Sequence, residues 1–81
     1  MERKCWIVTY QDHVGYRYTW AFFKKENAVK CVEEDYYIKF KSLVEEGYEP
    51  KCTHNDTDWK ELYVPDTGIY SEWHIELSTI R

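Results

Sequence analysis

Apolar side chains recur along this chain with two different periods, and the change from one to the other outlines an architecture. Lys4–Tyr10 (KCWIVTY) is dense in β-branched and aromatic residues and predicts a strand. Gln11–Gly15 supplies turn chemistry, and Tyr16–Phe23 (YRYTWAFF) is a second alternating run. Tyr16, Tyr18, Trp20 and Phe22 share one face of that run; Arg17, Thr19, Ala21 and Phe23 share the other. Two such runs joined by a short turn predict an antiparallel hairpin, with the aromatic set of the second strand buried. In the first strand Cys5/Ile7/Thr9 and Trp6/Val8/Tyr10 are both apolar enough to face a core, and the pattern leaves the choice open.

From Lys25 the period becomes helical. Ala28, Val29, Val32, Tyr36, Phe40, Leu43 and Val44 fall on one stripe, while Glu26–Lys30, Lys30–Glu34, Asp35–Lys39 and Lys41–Glu45 are i,i+4 pairs on the remaining surface. Gly47 suits the residue just past the helix end. A helix over residues 25–46 is about 33 Å long, against about 20 Å for a six-residue strand. It must therefore overhang the sheet, cross it diagonally or break near Asp35. Cys31 and Ile38 point away from the stripe and leave an apolar spot on the outer face.

Tyr48–Thr53 reads as a weak strand that Pro50 confines to an edge, with His54–Thr57 as loop. Trp59–Val64 (WKELYV) and Ile69–Thr79 (IYSEWHIELST) flank the turn Pro65–Gly68. In the last run Ile69, Ser71, Trp73, Ile75 and Leu77 share one face, and Tyr70, Glu72, His74 and Glu76 the other. One apolar and one polar face fit a sheet half open to water. The expected fold is α+β: an antiparallel sheet of four to five strands (ββαβββ or ββαββ) with one long helix on one face. It forms a single domain over residues 1–81.

Composition adds a compartment. Three cysteines, Cys5, Cys31 and Cys52, without a CxxC pair, read as free thiols in a reducing environment. The first residues lack the apolar stretch of a secretory signal, and no segment has the length of a membrane span. The expected location is cytoplasmic. Aromatic residues make up 19% of the chain, which serves both a small core and an interaction surface.

Charge changes the picture further. The net −4 hides a balance of +3 over residues 1–30 and of −7 over residues 45–76. An acidic half disfavours duplex DNA and suits a basic protein partner, such as the nucleic-acid channel of a nuclease. Chemistry adds little. Cys52, His54, Asp56 and Asp58 alternate in a polar stretch, but their spacing matches neither a zinc nor a calcium motif. No metal or other cofactor is expected. His13 and His74 are single imidazoles without a sequence partner, and a Gly-rich phosphate loop is absent. The residues predict a binding protein and not an enzyme.

The stretch Cys5–Glu34, together with Ile69–Leu77 (IYSEWHIEL), resembles small phage and prophage proteins of largely unknown function. Phe22, Phe23 and Ala28 match their helix start, and Ser71, Glu72 and Trp73 their closing strand. The resemblance covers about half the chain and brings no catalytic residue with it. Small acidic phage proteins of this sort include anti-CRISPR proteins and sponges for signalling nucleotides, so it implies a counter-defence role in a host cytoplasm.

The leading expectation is a stoichiometric inhibitor that blocks a basic surface of a host defence complex. Glu61, Asp66, Glu72 and Glu76 would supply charge, and Trp59, Tyr63 and Tyr70 aromatic anchors. A second reading is a sponge for a cyclic or signalling nucleotide built on Arg17, Trp20, Tyr70 and His74. A third is a structural or regulatory homodimer through the Cys31/Ile38 spot or a sheet edge.

Overall fold

A computed structural model describes residues 3–80. The expected domain over 1–81 includes Met1, Glu2 and Arg81, which lie outside the described residues. Strands β1 (Arg3–Asp12) and β2 (Arg17–Phe22) precede helix α1 (Lys25–Glu45), and β3 (Lys51–Asn55), β4 (Trp59–Val64) and β5 (Ile69–Ile80) follow. The order is ββαβββ, the longer of the two expected. All pairings are antiparallel, in one five-stranded sheet with the order β2-β1-β5-β4-β3. The first and last strands of the hairpin–helix–sheet plan thus meet at the centre.

That central pair settles the helix length. Strands β1 and β5 have 10 and 12 residues and pair from Arg3↔Ile80 to Asp12↔Ser71. At about 3.4 Å per residue they extend for roughly 34–41 Å, long enough to carry an unbroken helix. The helix runs through Asp35 without interruption. It ends as Gly47 predicts: Gly47 takes φ +92°, its N–H donates to the Val44 carbonyl, and the Tyr48 N–H donates to the Leu43 carbonyl. These two bonds make a Schellman cap.

The core lies between α1 and one face of the sheet. Ala28, Val32 and Leu43 from the helix meet Val8, Tyr10, Leu62, Val64, Trp73 and Ile75. In β1 the choice falls on Trp6, Val8 and Tyr10, since Val8 and Tyr10 are buried in this core and Trp6 packs against it. Trp73 sits at the centre. Its ring contacts Tyr10 (centroids 5.2 Å) and, edge-on, Tyr36 (5.5 Å), and its indole N–H donates to Asp35 Oδ2 at 2.7 Å. Lys60, also buried, donates to Asn55 Oδ1 and lies 5.4 Å from the Tyr36 ring centre.

The expected buried set of β2 needs correction. Phe22 packs against the core, but Tyr16, Tyr18 and Trp20 are 61%, 45% and 38% exposed. They do project on the helix side. A single helix about 10 Å across leaves part of a sheet roughly 20 Å wide uncovered, and the uncovered part includes this edge. Val44, at the margin of the stripe, is likewise exposed. The weak strand begins later than expected, at Lys51, and takes in His54 and Asn55. At the β1–β2 turn Asp12 Oδ1 accepts the N–H groups of Val14 and Tyr16, and Oδ2 accepts the Tyr10 hydroxyl. Burial alone would raise its carboxyl pKa, but these bonds outweigh it and hold the group below the ordinary value.

Two substitutions test this arrangement. Asp35→Ala leaves the Trp73 indole N–H buried without a partner and should cost about 1–3 kcal/mol in denaturant unfolding, whereas Asp35→Asn keeps an acceptor and should cost less. Gly47→Ala forces a Cβ into the left-handed region and should cost about 1–2 kcal/mol.

Candidate functional site

The alternation that sends Leu62, Trp73 and Val8 to the helix sends their neighbours to the opposite face, which no element of the described residues covers. The strand registers place that face in rows. Lys51, Tyr63 and Tyr70 form one. His54, Glu61, Glu72, Gln11 and Arg17 form the next, followed by Trp59, His74, Thr9 and Thr19. Glu76, Ile7 and Ala21 come beyond. The face therefore gathers Trp59, Glu61, Tyr63, Tyr70, Glu72 and Glu76 of the expected acidic–aromatic set. Asp66 lies in the β4–β5 turn at φ +64° and lines a cleft of about 380 Å³ with Glu61, Tyr63 and Tyr70.

Side-chain contacts brace the face from within. Tyr70 donates its hydroxyl to Glu72 Oε2 at 2.6 Å, and His74 Nε2 lies 3.4 Å from the same oxygen. The His74 ring stacks on Trp59 at 5.2 Å, and the His54 ring lies tilted against Trp59 at 4.1 Å. His54 Nε2 in turn pairs with Asp56 at 2.8 Å. Two imidazoles, each beside a carboxylate, thus pack on one indole. Glu61 accepts the Thr53 hydroxyl at 2.8 Å. Glu72 keeps only 12% of its side-chain surface exposed, so its charge mainly orders Tyr70 and His74, while Glu76 stands open to solvent.

The nucleotide set is only partly brought together. Arg17 and His74 line a shallow cleft of about 240 Å³ with Thr9, Gln11 and Glu76, and Tyr70 is on the same face. Trp20 is on the other side of the sheet, because its even number in β2 pairs it with Val8. Sequence reasoning missed Trp59 as the indole beside His74; the β4–β5 register that joins them depends on the turn.

The stretch weighed for metal binding is spoken for by other contacts. The Cys52 thiol donates to the His54 carbonyl, and Lys25 pairs with Asp58 at 3.5 Å. Among the described residues no three His, Cys, Asp or Glu side chains converge. Cys5, Cys31 and Cys52 are free thiols. His13 anchors the β1–β2 turn: its Nδ1 accepts the Tyr70 backbone N–H at 3.2 Å, and its backbone N–H donates to the Tyr70 carbonyl at 3.0 Å. No helix is long and apolar enough to cross a membrane among the described residues. Comparisons with protein families, curated proteins and solved structures return no match.

Three tyrosines tie both faces to pH. Burial, with smaller contributions from Asp12, raises the Tyr10 phenol from 10.0 to about 12, against a lowering bond from Ser71. Burial likewise raises Tyr36, and burial then Glu72 raises Tyr70. Each folded pKa lies above its unfolded value, so the associated stability is complete below pH 10.0 and is lost as pH rises through the folded values. Unfolding free energy should stay level towards pH 10.0 and fall above it, with the Tyr10 share lost by about 12. Tyr10→Phe should make that fall shallower, as read by denaturant titration alongside phenolate absorbance.

Proposed function

We propose that this chain is a non-catalytic binding protein whose uncovered sheet face docks on a cationic protein surface and blocks it. The observation that carries this reading is the convergence of Trp59, Tyr63 and Tyr70 with Glu61, Glu72 and Glu76 on one open face. Trp and Tyr are enriched at interaction hot spots, and polar or charged side chains occupy the rim around them. The internal bracing of Tyr70 by Glu72 and of Trp59 by two imidazoles reduces the rotamer freedom that docking must remove. The acid–base groups are tied to one another, which suits holding a shape. With the resemblance to small phage proteins, the reading extends to inhibition of a host defence complex through its nucleic-acid-binding surface.

A protein surface is preferred over a nucleotide for a local reason. The cleft that holds Arg17 and His74 also holds Glu76, whose carboxylate opposes a phosphate. Thermal shift against cyclic di- and trinucleotides distinguishes the two, since a bound ligand raises Tm with its excess over Kd.

The test is affinity capture from a bacterial lysate, identification of the captured protein, and titration of that purified protein with the chain at rising salt. The expected partner carries a basic surface, and its affinity falls with salt. Glu61→Lys with Glu76→Lys should weaken it by about tenfold or more, roughly 1.4 kcal/mol. An affinity indifferent to both salt and charge reversal would contradict the proposal.

A further inference from the structure

The two edges of the sheet are unequal. Strand β3 is short, follows Pro50, begins with Lys51 and has a bulge between Cys52 and His54, all features that discourage further pairing. Strand β2 is also short and begins with a cation, Arg17, but it has neither the proline nor the bulge. It pairs regularly with β1 over all six residues, contains no proline and carries one charge, Arg17.

Its free hydrogen-bonding groups are identifiable. The Asp12 N–H donates to the Tyr16 carbonyl, so residues 16, 18, 20 and 22 turn their backbone groups towards β1. Arg17, Thr19 and Ala21 turn theirs outward to an edge that no strand of the described residues pairs. Beside that edge lies the uncovered aromatic row, with Tyr16, Tyr18 and Trp20 stacked at 5.9 and 5.5 Å. A groove of about 530 Å³ separates the row from α1, lined by Trp20, Phe22, Cys31, Glu34 and Ile38 among others. The outer apolar spot of the helix and the aromatic row are thus one surface.

We propose that β2 pairs with β2 of a second copy of this chain, antiparallel and centred on Thr19. Two five-stranded sheets would then join into one of ten. In the sequence from Tyr16 to Phe22, YRYTWAF, the aromatic residues stand symmetrically about Thr19, at 18 and 20 and at 16 and 22. On the helix side this register sets Tyr18 against Trp20 of the second copy and Tyr16 against its Phe22. These are non-hydrogen-bonded pairs, where side chains approach most closely. On the open side Thr19 meets Thr19, and Arg17 meets the small Ala21, so like charges are kept apart. The same patch serves both copies, as a closed twofold interface requires. With the axis normal to the sheet, both open faces point the same way, which makes the dimer bivalent towards a partner. The pairing stands independently of the cationic partner proposed above.

Sedimentation equilibrium of the purified chain between about 1 µM and about 1 mM tests it. Wild type should pass from monomer to dimer. Thr19→Pro removes only an outward N–H, spares the β1 ladder, and should weaken the dimer by at least about 100-fold with the circular dichroism spectrum retained. Amide exchange provides a readout that needs no variant. The Thr19 and Ala21 amides should exchange freely in dilute samples and be protected in concentrated ones. A wild-type chain that stays monomeric to about 1 mM overturns the proposal. So does a folded Thr19→Pro dimer of unchanged affinity, or a dimer in which those two amides remain unprotected.

Discussion

The hydrogen bond from Trp73 to Asp35 is the contact on which the rest of the arrangement depends. It fixes a side chain from the central strand β5 to the middle of the only helix among the described residues, 38 positions away in sequence. A buried indole N–H needs an acceptor, and a helix carboxylate inside the interface needs a donor. Each therefore justifies the other. Tyr10 and Tyr36 close around the same ring from β1 and α1. With Trp73 directed to the helix, strand alternation leaves Glu72 and His74 no choice but the opposite face. The core contact and the open face are two consequences of one register.

Features written in neighbouring residues were legible in the sequence. Strand β4 has the expected limits, Trp59–Val64, and the polar and apolar faces of β5 follow its alternation. Gly47 marked the helix end because the left-handed region there selects it. What the sequence withheld depends on distance and width. Whether Cys5 or Trp6 faces the helix is decided by what packs above them, and the exposure of Tyr16, Tyr18 and Trp20 by how far one helix reaches across five strands. Alternation with Leu62 and Val64 puts Lys60 on the buried face of β4, but the groups that receive its amine, Asn55 across the β3 pairing and the Tyr36 ring, come from other elements. The same limit applies to the candidate site. Glu61, Tyr63, Tyr70 and Glu72 were recognisable as a set, but the packing of Trp59 with His54 and His74 requires the register of three strands.

The two faces divide the aromatic residues into different tasks. Trp73, Tyr10 and Tyr36 belong to the core. Trp59, Tyr63 and Tyr70 stand on the uncovered face, ordered by imidazole and carboxylate neighbours. Tyr16, Tyr18 and Trp20 belong to neither, and their position beside an unprotected strand edge gives them a separate role in the account. These aromatic residues thus fall into three groups rather than one.

The central proposal is that the open face serves recognition, while the part of the opposite face that the helix covers serves folding. Replacing Trp59, Glu61, Tyr63 and Glu76 together with alanine and measuring denaturant unfolding alongside partner binding tests it most directly. The expected result is a chain that still unfolds cooperatively, with a midpoint lowered only by the lost Trp59 contacts and the Thr53–Glu61 bond, and with binding abolished. A chain that no longer folds, or one that binds undiminished, would contradict it.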